Sequence, residues 1–290
     1  MKVVKEVSVM QEISDYHRST GRKIAFVPTM GYLHEGHASL MFSAKETGGI
    51  VVASIFVNPT QFGKGEDFDK YPRDFRRDAH ICEKAGVDYI FHPEASEMYS
   101  NKPLTSVTVS EISDKLEGKF RPGHFTGVAT VVAKLINIVK PHTMHMGSKD
   151  AQQNAVLKKM ISDLNFDTRL VICPTVREEN GLAMSSRNTY LTAEQRENAG
   201  SLFRILKEGM RLITEEKASD PETVKARAAE LLKELSPDME LQYYEITDND
   251  LLEPIADPGS FRGEVLISLA AKCGSTRLID NIIFENNPKG

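Results

Sequence analysis

A buried strand, a turn that contains glycine and the start of a helix follow one another near the beginning of the chain. The apolar run Ile24 to Val27 predicts the strand, and PTMGYLHEGH, Pro28 to His37, predicts the turn and the helix start. The first N–H groups of a helix are unpaired and its dipole is positive there, so this order favours binding of a phosphate. His34 and His37 are three residues apart and share one helix face. Two polar residues that start an ordinary surface helix would give the same pattern.

A zinc site at these two histidines is not expected. Zinc-binding helices carry H-E-x-x-H, in which the histidines are four residues apart, whereas His34 and His37 are three apart. No other cluster of Cys or His residues along the chain offers the missing ligands. The pair therefore suggests direct contact of imidazoles with a phosphate rather than a metal centre.

Strand-like apolar runs alternate with helical segments through the first half of the chain. Alternation of this kind predicts an α/β fold, a Rossmann-like doubly wound parallel sheet whose ligands bind beyond the carboxyl ends of the strands. The predicted strands are 24–27, 50–57, 87–91, 143–146 and 169–173. The polar segments that follow them are PTMG, NPTQF, HPEA, GSKD and VREENGLAMSSRN. Because the carboxyl ends of parallel strands share one edge, these segments are expected to lie together.

The character of the sequence changes after Thr192. Thr192 with Gln195 matches a capping box and predicts a helix to about residue 216, and Ser219 with Glu222 predicts a second one to about residue 235. Strand-like runs at 241–246, 264–271 and 276–284 have no long helix between them, which favours antiparallel pairing. We therefore predict a Rossmann-like domain over 1–185, a smaller C-terminal α+β domain over 186–290 and a hinge at 177–190.

Composition narrows the class of protein. The 290 residues carry a net charge of −5, which argues against general nucleic-acid binding but allows a small anionic ligand. Cys82, Cys173 and Cys273 lie far apart without a CxxC motif, as expected for reduced thiols. No apolar stretch has transmembrane length, and the first residues lack the apolar core of a signal peptide. We expect a cytoplasmic protein that binds neither membranes nor nucleic acid.

Several charged residues at the predicted edge are suited to a nucleotide. Lys149 could neutralise a phosphate and Asp150 could accept a ribose hydroxyl, although Asp150 would serve equally well as a plain helix N-cap. Ser185, Ser186 and Arg187 combine two hydroxyls with a guanidinium that could bind a di- or triphosphate. The alternative for this last segment is a solvated interdomain loop.

Neutral amides at the same edge suit a hydroxy acid. Asn58, Gln61 and Gln153 could bind its hydroxyl and carboxylate, but each could equally be an ordinary loop hydrogen-bonding residue. Arg121, in the segment FRPGHFTGV, could contact an anion or be a surface charge. The residues alone leave these alternatives open.

Several motifs occur together and in order, and jointly they resemble the pantoate–β-alanine ligases, or pantothenate synthetases. The resemblance runs from about residue 20 to 284. The motifs are PTMGYLHEGH, SIFVNPTQF, YPR at 71–73, RPGHFTGV, GSKDAQQ, GLAMSSRN and RLIDN at 277–281. HEGH also resembles the HIGH signature of the wider nucleotidyltransferase superfamily, and MSSRN lies where that superfamily has its mobile KMSKS loop.

The resemblance implies an activity and roles for individual residues. The implied reaction is ATP-dependent condensation of D-pantoate with β-alanine to pantothenate, through a pantoyl adenylate, with release of pyrophosphate and AMP. It implies ATP as a substrate, Mg²⁺ as a cofactor, a homodimer, and a smaller domain that acts as a lid. The implied catalytic residues are His34, His37 and Lys149. The implied ATP-binding residues are Met30, Asn58, Gly147, Lys149, Asp150, Val176, Ser185, Ser186 and Arg187. The implied pantoate-binding residues are Gln61 and Gln153, with Tyr71 and Arg121 supporting the site.

The metal and the exact reaction are less constrained. In the family the metal is held mainly by ATP phosphates, with acidic help near Asp78. Arg77 stands where some members carry a second acid, which puts a metal site held by the protein in doubt. Three other interpretations compete: an adenylyltransferase whose product keeps the nucleotide, a tRNA synthetase fragment, which the acidic charge disfavours, and a non-catalytic nucleotide-binding module.

Overall fold

The computed structural model describes residues 1–63, 65–99 and 102–287. The chain divides into two compact units, Met1–Ser148 with Val156–Pro174, and Lys149–Ala155 with Thr175–Gly290. The expected boundary near residue 185 therefore falls inside the second unit. Among the described residues, no helix is long and apolar enough to cross a membrane.

A parallel sheet forms the centre of the first unit. Its strands within the described residues are β1 (Lys2–Val4), β2 (Ile24–Thr29), β3 (Ile50–Ile55), β4 (Tyr89–Phe91), β5 (Thr143–Gly147) and β6 (Arg169–Cys173). They lie in the order β1-β4-β3-β2-β5-β6, and every neighbouring pair is parallel. The chain runs from β2 through β3 to β4 and then returns to β5 on the other side of β2. The topological switch point, where such sheets bind ligands, thus lies between β2 and β5.

Helices cover both faces of this sheet. They are α1 (Val7–Ser19), α2 (Glu35–Glu46), α3 (Phe75–Lys84), α4 (Ala95–Met98), α5 (Leu116–Phe120), α6 (His124–Val139) and α7 (Ala151–Asp163), the first turn of which belongs to the second unit. Ala25 and Val27 belong to one core cluster together with residues of α2 and α3. Ile24 and Phe26 point to the opposite face, because side chains alternate along a strand, and they are also buried. The predicted doubly wound parallel sheet is confirmed.

The second unit is built on an antiparallel sheet. Its strands are β7 (Met239–Asp248), β8 (Gly263–Cys273) and β9 (Thr276–Asn286), in that order, and its further helices are α8 (Ala193–Ala199), α9 (Ser201–Thr214) and α10 (Pro221–Leu235). Ile205 and Leu206 of α9 share a buried core with Val265 and Ile267 of β8. The predicted smaller α+β fold is confirmed.

Two details of the second unit differ from the prediction. The single helix expected up to residue 216 is interrupted at Gly200, because Asn180 Nδ2 donates to the carbonyl oxygens of Arg196 and Glu197 at 2.9 and 3.4 Å, in the last turn of α8. The N-cap of α10 is Asp220, so the prediction of Ser219 was wrong. The Asp220 carboxylate accepts the N–H groups of Glu222 and Thr223, at 3.1 and 3.2 Å, and an aspartate carboxylate is a strong helix cap.

Candidate active site

The turn between β2 and α2 has a constrained backbone path. Gly31 and Tyr32 both have left-handed backbone conformations, with φ of 84° and 50°. A Cβ atom on Gly31 would lie 2.9 Å from Asp78 Oδ2 and 3.0 Å from Ile55 Cγ2, so this position requires glycine. Thr29 Oγ1 accepts a hydrogen bond from Gly31 N at 3.2 Å. The path of this turn decides where α2 and its histidines begin.

Asp78, on α3, holds the same turn. Its Oδ2 accepts the N–H of Tyr32 at 2.8 Å and its Oδ1 accepts the N–H of Leu33 at 2.7 Å, while the residue is only 1% exposed. Burial raises the pKa of Asp78, and the two backbone hydrogen bonds only partly oppose this effect. A carboxylate with both oxygens turned to the backbone does not fit a magnesium site, which needs oxygens that reach the ion and its waters. Among the described residues, no group of three or more His, Cys, Asp or Glu side chains could hold a metal ion.

His34 and His37 form a pair at the start of α2. His34 is the N-cap residue and His37 is the third residue of the helix. The two ring centroids are 4.1 Å apart, and both residues are partly exposed. His34 N donates to His37 Nδ1 at 3.3 Å, which leaves the proton of a neutral His37 ring on Nε2. The pair therefore offers an imidazole N–H donor next to a helix N-terminus, which suits a phosphate oxygen.

A 3₁₀ turn, Pro59–Gln61, follows β3 and carries two of the predicted residues. Asn58 caps this turn and is only 1% exposed; its Nδ2 donates to Gln61 Oε1 at 3.1 Å and to Gly127 O at 3.2 Å. Gln61 Nε2 lies 3.2 Å from Met30 Sδ. Met30, Asn58 and Gln61 are thus brought together beyond the carboxyl ends of β2 and β3.

Gly127 allows α6 to lie directly against this turn. A Cβ atom there would be 2.7 Å from Gln61 Cα and would overlap the Thr60 carbonyl oxygen. His124, one turn earlier, donates from Nδ1 to the Gln61 carbonyl oxygen at 2.8 Å. The backbone of Gln61 is therefore fixed by α6 from two sides.

Arg121 forms a bidentate ion pair with Glu66. Its Nε and Nη2 donate to the two Glu66 carboxylate oxygens at 2.7 and 2.6 Å, and its Nη1 donates to His124 Nε2 at 3.1 Å. Burial acts to raise the pKa of Glu66, but the hydrogen bonds and charge of Arg121 prevail and hold it below its ordinary value. Arg121 thus acts on the Gln61 turn directly, since its Nη2 donates to the Gln61 carbonyl oxygen at 3.4 Å, and also through His124.

Replacement of Glu66 by glutamine is expected to change the acid dependence of stability. Because the pKa of Glu66 is lowered, its ionised form stabilises the fold above the ordinary value of 4.5, and this contribution is lost as the pH falls through the lowered pKa. Urea unfolding between about pH 6 and about pH 3 should therefore show the difference between wild type and Glu66→Gln narrowing with acid. The exposed Glu12 supplies a control, Glu12→Gln. Narrowing of equal size in both variants would contradict the pairing.

Tyr71 lies beside the same turn in a small aromatic group. It is 5% exposed, and its ring meets that of Phe62 edge-on with centroids 6.0 Å apart. Phe68 packs edge-on against Phe62 as well, at 5.3 Å. Tyr71 therefore packs against Phe62, the residue that directly follows Gln61.

The GSKD segment crosses from the first unit to the second. Gly147 ends β5, the strand next to β2 at the switch point. In the second unit Lys149 Nζ lies 3.9 Å from Asp150 Oδ1, and the Asp150 carbonyl accepts from Asn154 N at 3.0 Å in the first turn of α7. Gln153 is the third residue of α7.

The segment predicted as a loop at 177–190 is folded. An antiparallel bridge joins Arg177 to Ala183, so that residues 176–184 form a hairpin. Ser185 then begins the 3₁₀ turn Ser186–Tyr190, and its Oγ accepts from Arg187 N at 3.3 Å. The predicted ATP-binding residues on this segment are Val176, Ser185, Ser186 and Arg187.

Asn188 joins the 3₁₀ turn to the hairpin. Its Nδ2 donates to the Ala183 carbonyl at 3.1 Å and to Glu178 Oε1 at 3.0 Å. Glu178 is in turn paired with Arg196 at 2.6 Å. The 3₁₀ turn that carries Ser185, Ser186 and Arg187 is therefore held in place by the contacts of Asn188 and Glu178.

Each unit gathers part of the predicted set. The first unit holds Met30, His34, His37, Asn58, Gln61, Tyr71, Arg121 and Gly147, and the second holds Lys149, Asp150, Gln153, Val176, Ser185, Ser186 and Arg187. Sequence reasoning missed residues that hold these groups in place, above all Glu66, Gly127 and Asn188, and it singled out Asp78 only as a possible metal contact, not as the residue that holds the turn before α2. One signal was available, because a glycine inside an apolar helix usually has a packing reason, and Gly127 lies in α6.

Comparison with known proteins gives a match over nearly the whole chain. Residues 2–283 match the model of a family described as pantoate-beta-alanine ligase. Proteins described as pantothenate synthetase from Caldicellulosiruptor saccharolyticus and Thermodesulfovibrio yellowstonii are 50% and 47% identical to the chain, over 98% of this chain and 100% of each relative.

Solved structures of the same family also match the chain over nearly its whole length. A pantothenate synthetase from Thermus thermophilus superposes with a TM-score of 0.89 at 40% identity, covering 97% of this chain and 99% of that one. A pantoate-beta-alanine ligase from Francisella tularensis, complexed with beta-gamma ATP and beta-alanine, gives a TM-score of 0.78 at 34% identity, over 98% and 97%. These matches confirm the resemblance based on the motifs and extend it to residue 2. The chain belongs to the pantoate–β-alanine ligase family.

Proposed function

We propose that the residues described above carry out the reaction of this family. The chain is a ligase that condenses D-pantoate with β-alanine at the expense of ATP, through a pantoyl adenylate, and releases pyrophosphate and AMP. The observation that carries the residue assignment is the His34–His37 pair at the N-terminus of α2, beside the switch point between β2 and β5. Sheets of this kind bind nucleotides at that point. The complex of the Francisella tularensis relative supports ATP and β-alanine as substrates.

In the first step a carboxylate oxygen of pantoate attacks the α-phosphorus of ATP. A bond forms between that oxygen and phosphorus, the bond from the α-phosphorus to the oxygen that bridges to the β-phosphate breaks, and pyrophosphate leaves. The carboxylate is already a nucleophile, so the step needs no strong base. Its rate depends on alignment and on neutralising negative charge at the phosphate oxygens.

In the second step the amine of β-alanine attacks the acyl carbon of the adenylate. The new C–N bond replaces the C–O bond to AMP, the amine loses a proton, and AMP leaves as a good leaving group. The protein must orient the amine and keep water away from the acyl carbon, because hydrolysis would waste ATP.

His34 and His37 are assigned to the α-phosphate. The hydrogen bond from His34 N fixes the proton of a neutral His37 ring on Nε2, which makes that atom a donor. The negative charge that builds up on the phosphate oxygens during attack would be stabilised by this donor and by the N-terminus of α2. Met30, which precedes this turn, is assigned to the same nucleotide.

Pantoate is assigned to Gln61 and Gln153. Gln61 is the better supported of the two, since its backbone is fixed by His124 and Gly127 while its side-chain amide lies between Asn58 and Met30. Tyr71 and Arg121 are assigned supporting roles around the Gln61 turn. A neutral amide can bind both the hydroxyl and the carboxylate of a hydroxy acid.

The remaining phosphates and the ribose are assigned to other residues at the predicted edge. We propose that the triphosphate is bound by Lys149, Ser185, Ser186 and Arg187, with help from Asn58. The ribose is assigned to Asp150 and Gly147, and Val176 is a further ATP contact.

The Mg²⁺ implied by the family is proposed to be held by the phosphates of ATP, because the residues around Asp78 do not fit a metal site. A cytoplasmic homodimer also remains a proposal, and sedimentation analysis of the purified protein would test the dimer.

Closure over the nucleotide is proposed for the segment 177–190. Arg187 is a cleavage point for trypsin in this segment, and binding of MgATP with pantoate should slow cleavage there if the segment shields the adenylate from water. Cleavage between residues 22 and 23, at the exposed Arg22 and Lys23, serves as an internal reference. Equal rates at 177–190 with and without both substrates would contradict closure.

The reaction itself is tested by assaying both leaving groups. Purified protein is supplied with MgATP and D-pantoate, with or without β-alanine, and AMP, pyrophosphate and pantothenate are measured. The expected result is pyrophosphate release that depends on pantoate and AMP release that depends on β-alanine, with pantothenate formed. A product that keeps AMP would identify an adenylyltransferase instead, and absence of any pyrophosphate would contradict the proposed substrate.

A further inference from the structure

Two consecutive polar residues on β9 are buried together. Asp280 is 4% exposed and Asn281 is 6% exposed, within the otherwise largely apolar run RLIDNIIF. Side chains alternate between the faces of a strand, so two adjacent buried polar groups must both find partners inside the unit. Their partners are the two segments of this unit that carry the proposed ATP-binding residues.

Asp280 holds the hairpin through Arg177. The Arg177 guanidinium donates to both Asp280 carboxylate oxygens, at 2.6 and 3.0 Å, in a bidentate pair whose side chains are 16% and 3% exposed. The same guanidinium donates to Gly181 O at 3.0 Å and stacks on Phe203, 3.6 Å from the ring centroid. These contacts hold the Arg177 guanidinium in one orientation. Because Arg177 belongs to the hairpin at 176–184, they also fix the hairpin relative to Asp280 and Phe203. Ser185 directly follows that hairpin.

Asn281 holds the backbone of Lys149. Its Nδ2 donates to the Lys149 carbonyl oxygen at 2.6 Å, and its own carbonyl accepts from Arg177 Nη2 at 3.3 Å. The ammonium of a lysine sits on a flexible four-carbon stem, so the volume it can reach is set by where its backbone is fixed. Asn281 therefore links the backbone of Lys149 to Arg177 of the hairpin.

We propose that Asp280 and Asn281 are positioning residues for ATP, which hold Lys149 and the segment Ser185–Arg187 in one fixed arrangement from adjacent places on β9. This inference rests on the proposed function, since it takes Lys149 and Ser185–Arg187 to bind the triphosphate. It assigns a role to the RLIDN motif, whose last two residues are these. Neither residue needs to touch a substrate.

The decisive variant is Asn281→Leu, which keeps the size of the side chain but removes the donor to Lys149. The expected result is an increase of about tenfold or more in the KM for ATP, because a displaced phosphate-binding group binds less well, while the KM for pantoate stays unchanged. The dissociation constant of MgATP, measured by titration calorimetry without the other substrates, should rise by the same factor.

Asn286→Leu is the matched control. Asn286 lies on the same strand and is 2% exposed. Its Nδ2 donates to Pro258 O and Phe261 O at 2.8 and 2.9 Å, and neither of these two hydrogen bonds involves Lys149 or Arg177. Its loss should lower the melting temperature without changing the affinity for ATP. If Asn281→Leu lowers only the melting temperature, as Asn286→Leu is expected to do, the positioning role is overturned. Asn281→Asp, which keeps the shape and replaces the donor by an acceptor, gives the same test if the leucine variant does not fold.

The two proposals fail in different ways. If wild-type protein binds MgATP but forms no pantothenate, the proposed function is wrong, and the positioning role is still decided by the ratio of dissociation constants. If wild type makes pantothenate and Asn281→Leu binds ATP equally well, only the positioning role is overturned. If wild type does not bind MgATP, both are overturned.

Discussion

Replacement of His34 by alanine is expected to lower the rate of pantoyl-adenylate formation by about 10²- to 10³-fold, the usual effect of losing one donor to a developing oxyanion. His34 is the N-cap residue of α2, and its ring lies 4.1 Å from that of His37. The variant removes one imidazole, and it also removes the neighbour that packs against the other. The measurement is pyrophosphate release in a single turnover with saturating MgATP and pantoate.

Loss of helix stability must be separated from loss of chemistry in this experiment. His34→Ser places a strongly preferred N-cap residue at the start of α2 but supplies no imidazole, so its stability should exceed that of His34→Ala while its rate remains low. His80→Ala removes an exposed histidine of α3 and should leave the rate unchanged. Adenylation at the wild-type rate in His34→Ala would refute the assignment to the α-phosphate.

Much of the first unit could be predicted because its strands carry a local signal. Ile24 to Val27 and the run 50–55 are apolar almost throughout, as strands covered on both faces are, and the alternation with helices fixes parallel pairing. The loops at the carboxyl edge follow from that topology alone. The fold class and the location of the histidine pair were therefore accessible from the sequence.

The first two elements of the chain had no such signal. β1 is three residues long, too short for a period of two to be recognised. The buried positions of α1 are Met10, Ser14 and His17, and only the first of them is apolar. Ser14 Oγ donates to the Met10 carbonyl and His17 Nε2 is hydrogen-bonded to the Tyr89 hydroxyl. The buried face of this helix is therefore largely polar, and hydrophobic periodicity cannot detect such a face.

The residues that hold the candidate site in place could not be predicted from the sequence for a different reason. Asp78 is 45 residues from the Leu33 N–H that it accepts, and Arg121 is 55 residues from Glu66. Contacts over such separations leave no pattern in a local window, so Asp78 was considered as a metal ligand and Arg121 as an anion contact. Asn58 illustrates the same limit, because its amide donates to the carbonyl oxygen of Gly127, 69 residues away, and its contact with ATP stays a prediction.

Replacement of Gly127 by alanine separates helix propensity from packing, because the two effects have opposite signs. Alanine is favoured over glycine inside a helix by about 1 kcal/mol, so an α6 that only needed to be helical would become more stable. In the structure, however, the added Cβ would lie 2.7 Å from Gln61 Cα and overlap the Thr60 carbonyl oxygen. Backbone cannot move aside as a flexible side chain can, and overpacking of this kind costs about 1–3 kcal/mol.

Gly127→Ala should lower kcat/KM for pantoate by more, when both are expressed as free energies, than it lowers the free energy of unfolding. The turn that must move carries Gln61, the proposed pantoate ligand, and a displacement of about 1 Å in a substrate-positioning group can lower the rate by about 10²-fold. We therefore expect a fall of about that size in kcat/KM for pantoate, with the dissociation constant of MgATP much less affected. Gly63→Ala is the matched control, because a Cβ at Gly63 would meet nothing closer than Glu66 at 3.7 Å. A Gly127→Ala protein that is more stable than wild type and fully active would show that α6 does not press on the Gln61 turn, and the assignment of pantoate to that turn would lose its structural support.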